Sequence, residues 1–230
     1  MSDPIAPNVY RIAAGYVNLY LIVEDDGLTL IDTGMPRSQK LVWETIAELG
    51  RERSELGRIL LTHADLDHAG SVAAIQSETG AKVYASQETA VFLQAGKSPK
   101  HLPWLIQTVS ALFVRYKTIP SHVIETIKDG DELPILDGLQ VLATPGHTME
   151  HHSFFSPQRG VLFTGDALNT NAGYLQSSPS RITADLAAAK RSAIRLLELK
   201  PTVIACGHGD PAQNVSHDDI MNLFNQLKES

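Results

Sequence analysis

Apolar residues come in short runs along this chain, separated by polar or glycine-rich breaks, and the spacing inside each run assigns its element. Residues 17–23 and 28–31 are near-continuous apolar stretches of strand length. The tetrapeptide Glu24-Asp25-Asp26-Gly27 between them favours a reversal, so the pair predicts a hairpin. Leu41, Val42, Thr45, Ile46 and Leu49 then recur at helical spacing ahead of Gly50, which predicts a helix and its stop. A short buried strand is predicted at 58–62, a helix at 70–79 ended by Gly80, and a strand at 82–85, which together form βαβ alternation. Helices are predicted at 86–95 and 103–117, broken by residues 96–99, with Pro103 suited to a first helical position. Short strands follow at 121–127, 139–143, 153–155 and 161–164, then a helix at 183–199 and a last strand at 202–205.

This order implies an α/β chain. Strands and helices occur in both halves, a pattern satisfied by two sheets packed face to face with helices outside. The expectation is one domain over 1–230, with a helical lid or insertion at about 86–120. At 230 residues and 43% hydrophobic content, the chain can bury a sizeable core. No stretch approaches the roughly 20 consecutive apolar residues of a membrane span. The N-terminus, Met1-Ser2-Asp3-Pro4, lacks the basic and apolar regions of a signal peptide, so the expected location is cytoplasmic and away from membranes. A single cysteine, Cys206, fits a reducing compartment. The net charge is −7, and no dense cluster of Lys and Arg is present, which argues against a nucleic-acid partner.

Chemistry concentrates in Leu61-Thr62-His63-Ala64-Asp65-Leu66-Asp67-His68, which places four potential metal ligands within six residues directly after a predicted strand. Thr144-Pro145-Gly146-His147, Phe163-Thr164-Gly165-Asp166 and Cys206-Gly207-His208 each deliver one more His or Asp where a strand meets glycine. Catalytic metal sites use this inventory of His and carboxylate ligands while leaving a position open for water or substrate. Alternate residues leaving a strand end can face two ions roughly 3.5 to 4 Å apart, and Asp166 is the candidate bridging carboxylate.

The set resembles the metallo-β-lactamase superfamily, whose first motif is His-x-His-x-Asp-His, followed by separate His, Asp and His motifs. Here the series reads His63-x-Asp65-x-Asp67-His68, then His147, Asp166 and His208, and Ile31-Asp32-Thr33-Gly34 resembles the early strand-and-turn motif. The resemblance implies a four-layer αββα sandwich. It also implies a binuclear centre, with His63, Asp65 and His147 on one divalent ion, Asp67, His68 and His208 on the other, and Asp166 bridging. Asp65 departs from the pattern, which has histidine there. A carboxylate adds negative charge and a harder oxygen ligand, which shifts preference from zinc toward iron or manganese without excluding zinc. A competing reading of Asp65 is a cap on the following helix.

Asp32 is expected to accept a hydrogen bond from a loop amide or a ligand histidine rather than to bind metal. His151 and His152 receive no ligand role, and Cys206 is expected to be buried and inert. The apolar run Trp104, Leu105, Ile106, Val109, Leu112, Phe113 and Tyr116 is wider than a surface helix needs. It fits core packing or a homodimer interface on one reading, and a lid over the site on the other.

The expected function is hydrolysis of a small ester, lactone or thioester by a metal-bound water, with Asp67 or Asp166 moving the proton to the leaving group. The chain ends soon after His208, where glyoxalase II relatives continue into a glutathione-binding extension. Alternatives are a small-molecule phosphodiesterase, an iron oxidoreductase resembling the sulfur dioxygenases and a binding module with a degraded site.

Overall fold

The computed structural model describes residues 3–99 and 117–229. They fall into two compact units, one of residues 3–99 with 117–127 and one of residues 128–229. The chain 100–116, which holds most of the expected second lid helix, lies outside the described residues.

In the first unit the elements are β1 (Asp3–Ala6), β2 (Val9–Ala14), β3 (Val17–Glu24), β4 (Gly27–Ile31), α1 (Gln39–Glu48), β5 (Leu56–Leu60), α2 (Leu66–Ala69), α3 (Val72–Thr79), β6 (Lys82–Ser86), α4 (Gln87–Ala95) and β7 (Ile124–Ile127). The seven strands form one sheet in chain order. Pairing is antiparallel from β1 to β4 and parallel from β4 to β7. The predicted hairpin is β3–β4, closed where Glu24 pairs with Gly27. Leu19, Leu21, Leu28, Leu30, Ile59 and Val83 from the sheet pack with Val42 and Ile46 of α1 and Val72 and Ile75 of α3 in one buried cluster. Complete burial of each such side chain contributes about 1.5–3 kcal/mol, so α1 and α3 are held mainly by their inward faces.

Several boundaries move from their predicted places. β5 ends at Leu60, so Leu61 and Thr62 already belong to the loop that carries the ligand run. The predicted helix at 70–79 starts at Val72, but it stops as expected at Gly80, whose φ of +73° ends it in the left-handed conformation. Residues 121–123 form a 3-10 turn rather than the start of β7. β1 and β2 were not predicted. Their burial alternates imperfectly, and the charged Arg11 interrupts the apolar pattern of β2 while binding Asn18 of β3 at 2.7 Å.

In the second unit the elements are β8 (Glu132–Leu133), β9 (Leu139–Ala143), β10 (His152–Ser156), β11 (Val161–Gly165), β12 (Leu168–Asn169), β13 (Gln176–Ser177), α5 (Leu186–Glu198), β14 (Val203–Cys206), β15 (Ala212–Gln213) and α6 (His217–Glu229). The sheet order is β15-β14-β11-β10-β9-β8, with β12 and β13 paired separately. Only the β11–β14 pair within that sheet is parallel. α5 begins where the Asp185 side chain accepts the Ala188 amide at 2.9 Å. It buries Ala193, Leu196 and Leu197 against Leu142, Leu162 and Ile204, and Ile220, Leu223 and Leu227 of α6 complete that core. α6 was not predicted, although those three residues share one helical face. Among the described residues no helix is long and apolar enough to cross a membrane.

Candidate metal centre

Each unit presents its own set of potential ligands, and in each the surrounding hydrogen bonds decide which ring atom is offered. In the first unit β5 delivers the loop that holds His63, Asp65, Asp67 and His68. Beside it, β4 is followed by Asp32, a residue only 2% exposed with a left-handed φ of +58°. The Asp32 carboxylate accepts the Thr62 amide at 2.9 Å and the Thr62 hydroxyl at 2.8 Å. It also lies 2.8 Å from His68 Nδ1, which donates to it as the ring N–H. The Thr62 hydroxyl has one hydrogen, directed at Asp32, so at 2.9 Å it accepts from His63 Nδ1. One carboxylate thus fixes the tautomer of two fully buried histidines, His68 directly and His63 through Thr62, and both expose the Nε2 lone pair. Asp32 occupies the supporting position expected of it, bonded to both a loop amide and a histidine.

Asp65 stands at the N-cap position of α2, yet its side chain makes no cap hydrogen bond. Oδ1 accepts from Ser98 at 3.3 Å, and Oδ2 lies 3.5 Å from His63 Nε2. The helix-cap reading is therefore set aside, because the carboxylate turns toward the histidine. Asp67 is half-buried in the first turn of α2.

In the second unit Asp166 follows β11, His208 follows β14 and His147 lies in the loop after β9. An Asp166 oxygen, Oδ2, lies 3.3 Å from His147 Nε2 and equally 3.3 Å from His208 Nε2. Two ligands each about 2.0 Å from a tetrahedral ion are separated by about 3.3 Å, so these spacings fit atoms sharing an ion. The far side of the His147 ring is held by Ser178, with Nδ1 3.1 Å from its hydroxyl. The donor set therefore fits a divalent metal: buried His63, His68 and His147 have Nδ1 engaged by the protein, and Nε2 of His63, His147 and His208 lies within 3.5 Å of a carboxylate oxygen. Potential ligands number His63, Asp67 and His68 in the first unit and His147, Asp166 and His208 in the second.

His147 depends on tight backbone packing. Gly146 has φ +144°, and a Cβ there would collide with the backbone of Ala189 in α5. The Asp185 amide donates to the Gly146 carbonyl and the Ala184 amide to the His147 carbonyl, each at 3.0 Å, which fastens the ligand loop to the start of α5.

His151 is the residue whose part the sequence did not reveal. Its Nε2 accepts the Asp166 amide at 3.0 Å, so that nitrogen carries a lone pair and the ring proton sits on Nδ1. Nδ1 lies 2.8 Å from the Thr144 hydroxyl, which lies 2.9 Å from the Ser153 hydroxyl, and Ser153 donates to the Thr164 carbonyl at 3.2 Å. Each hydroxyl has one hydrogen, so the chain runs in one direction from His151 to Thr164. A neutral, buried His151 thus anchors the backbone of Asp166. The only signal in the sequence was its place four residues after His147. Cys206 is fully buried, and burial pushes its thiol up to about 12, so it is inert as expected.

The model of the metallo-β-lactamase superfamily matches residues 12–208, which contain every potential ligand named above. The chain belongs to the metallo-β-lactamase superfamily. Within the superfamily it is 30% identical to the probable metallo-hydrolase YflN of Bacillus subtilis (strain 168), over 99% of each chain. It is 28% identical to the hydroxyacylglutathione hydrolase GloC of Haemophilus influenzae, over 70% of each. A solved B3 metallo-β-lactamase with an active-site glutamic acid matches with a TM-score of 0.75 and 22% identity, covering 99% of this chain and 87% of that one. This likeness shows the metallo-β-lactamase fold, the class expected from the sequence. As a superfamily member the protein is a metal-dependent hydrolase.

Proposed function

We propose that this hydrolase cleaves small thioesters, with esters and lactones in the same chemical class, at a binuclear metal centre. His63, Asp65, Asp67, His68, His147, Asp166 and His208 are the residues that would hold the ions. The observation that supports the reading is the Asp166 oxygen 3.3 Å from both His147 Nε2 and His208 Nε2, a spacing that fits metal ligation. The similarity to a hydroxyacylglutathione hydrolase supports the thioester choice.

Divalent ions bound there supply an acidified water and Lewis-acid stabilisation of the charge that develops on the carbonyl oxygen. The chain's own groups do the rest. Asp32 and Thr62 engage the Nδ1 atoms of His68 and His63, so each ring would offer Nε2 to a metal. Asp65 adds a hard, negative oxygen, which admits iron and manganese beside zinc. Asp67 and Asp166 carry the proton toward the leaving atom, and a thiol leaving group with a pKa of about 8.5 makes only a modest demand on that transfer. No nucleophilic side chain is required.

The test is elemental analysis of protein purified without chelator, combined with thiol release from simple acyl thioesters. About two metal ions per chain, and hydrolysis abolished by chelation and restored by metal, are expected. Less than one ion per chain, or hydrolysis that survives chelation, overturns the reading. One iron per chain with oxygen uptake on a persulfide establishes the dioxygenase alternative instead.

A further inference from the structure

The second unit contains a cavity of about 500 Å³ that no proposed ligand lines. One wall is a stripe of α6, Asp219, Asn222, Leu223 and Gln226, residues spaced to share one helical face. Leu223 is buried, and Tyr174, 62% exposed, lines the cavity from the loop between β12 and β13. Thr170 and Asp210 complete the side next to His208. The Thr170 amide donates to the His208 carbonyl at 3.2 Å, and the Thr170 hydroxyl donates to the Asp210 carbonyl. Gly209 lies so close to Thr170 that a Cβ there would collide with it. The cavity therefore shares a rigid wall with the segment that positions a ligand.

Its charge is one-sided. Asp210 and Asp219 line it, and among the described lining residues there is no lysine or arginine. Hydrogen bonds from the Ser216 hydroxyl and amide hold the Asp219 carboxyl below the usual carboxylate range, so it stays ionised. An exposed aromatic ring and two carboxylates lining one cavity favour an organic cation and disfavour an anion.

We propose that this cavity is the subsite for the leaving-group end of the substrate and that it accepts an alkylammonium group in preference to a carboxylate. The inference rests on the thioesterase reading above. It separates this chain from enzymes of glutathione thioesters, whose leaving group bears two carboxylates and one ammonium.

Two probes sharing one acyl group test it, propanoylthiocholine and S-propanoyl-3-mercaptopropionate, together with their uncleavable S-propyl thioethers measured by calorimetry. The cationic member of each pair should be favoured roughly tenfold, in kcat/KM and in affinity, and the preference should shrink as salt rises. Asp210→Lys should abolish or invert the preference, and Tyr174→Ala should reduce it. Equal or better handling of the anionic probes, or an unchanged ratio in Asp210→Lys, overturns the subsite. If neither thioester is cleaved while the cationic thioether still binds selectively and loses that selectivity in Asp210→Lys, the thioesterase reading falls and the subsite stands. Cleavage of both thioesters without preference has the opposite meaning.

Discussion

Asp32→Asn isolates the part played by the carboxylate that organises the first ligand loop. Asparagine keeps the shape and tolerates the left-handed φ of +58°, so no backbone strain is introduced. What changes is the number of acceptor oxygens. Asp32 presents one oxygen to the Thr62 amide and the other to His68 Nδ1, at 2.9 and 2.8 Å. Asparagine can satisfy one side only. If its oxygen stays with Thr62, its NH2 group meets the His68 N–H, and the imidazole proton is driven to Nε2, the atom that must bind metal. A buried hydrogen bond to a charged group contributes about 1.5–3 kcal/mol. On the proposed binuclear reading, at about 1.4 kcal/mol per tenfold, its loss weakens binding of the ion that His68 would hold by roughly 10- to 100-fold. His63 retains its Thr62 partner, so the other ion should be affected far less. Competition titration of metal-free protein against a chromophoric chelator measures both constants, and circular dichroism checks the fold. Dissociation constants within about threefold of wild type for both ions, in a folded variant, would refute the argument.

Other perturbations reach the second unit. His151→Asn removes the acceptor for the Asp166 amide, whereas His151→Gln can place an oxygen near the Nε2 position; metal affinity should fall with asparagine and recover in part with glutamine, and equal loss in both would exclude a positioning role. Gly146→Ala forces a methyl into the Ala189 backbone at φ +144° and should cost about 3 kcal/mol or more, visible as a large drop in denaturation midpoint. Burial works against the charge of Asp129, yet the Ala143 amide and Arg195 hold its carboxyl below its usual range. Its contribution is therefore present above about pH 4 and lost as pH falls through the lower folded value. Asp129→Asn should destabilise by under about 1 kcal/mol at pH 7, since the pair is nearly half exposed, and the difference should shrink in acid denaturation as pH falls below the usual carboxylate range. Cys206 should resist alkylation in the native protein and react only after unfolding, as mass spectrometry can show.

Much of the architecture was legible because local pattern and tertiary burial agree. The β3–β4 hairpin, α1 with its glycine stop, β9 and the β11-to-Asp166 junction are each declared by apolar spacing followed by a turn residue. β1, β2 and α6 escaped for related reasons. The two strands mix charge into their alternation and gain their identity from pairing, while the apolar stripe of α6 is only three residues wide and gains its meaning from the core it closes. The candidate ligands are legible because each His or Asp follows a predicted strand at a turn or glycine, and that order is a property of the chain.

What the sequence determined alone was the inventory: which residues could bind metal, and that Asp65 brings a carboxylate where the superfamily pattern has imidazole. Tertiary structure decided how that inventory is aimed. Asp32 and Thr62 assign the tautomers of His68 and His63 across strands that are remote in sequence, and His151 anchors Asp166 from 15 residues away. Asp65 declines the cap that its position offers and turns to His63 instead. A hydrogen bond depends on the distance and direction between two atoms, and residue spacing along a chain specifies neither until the strands have paired.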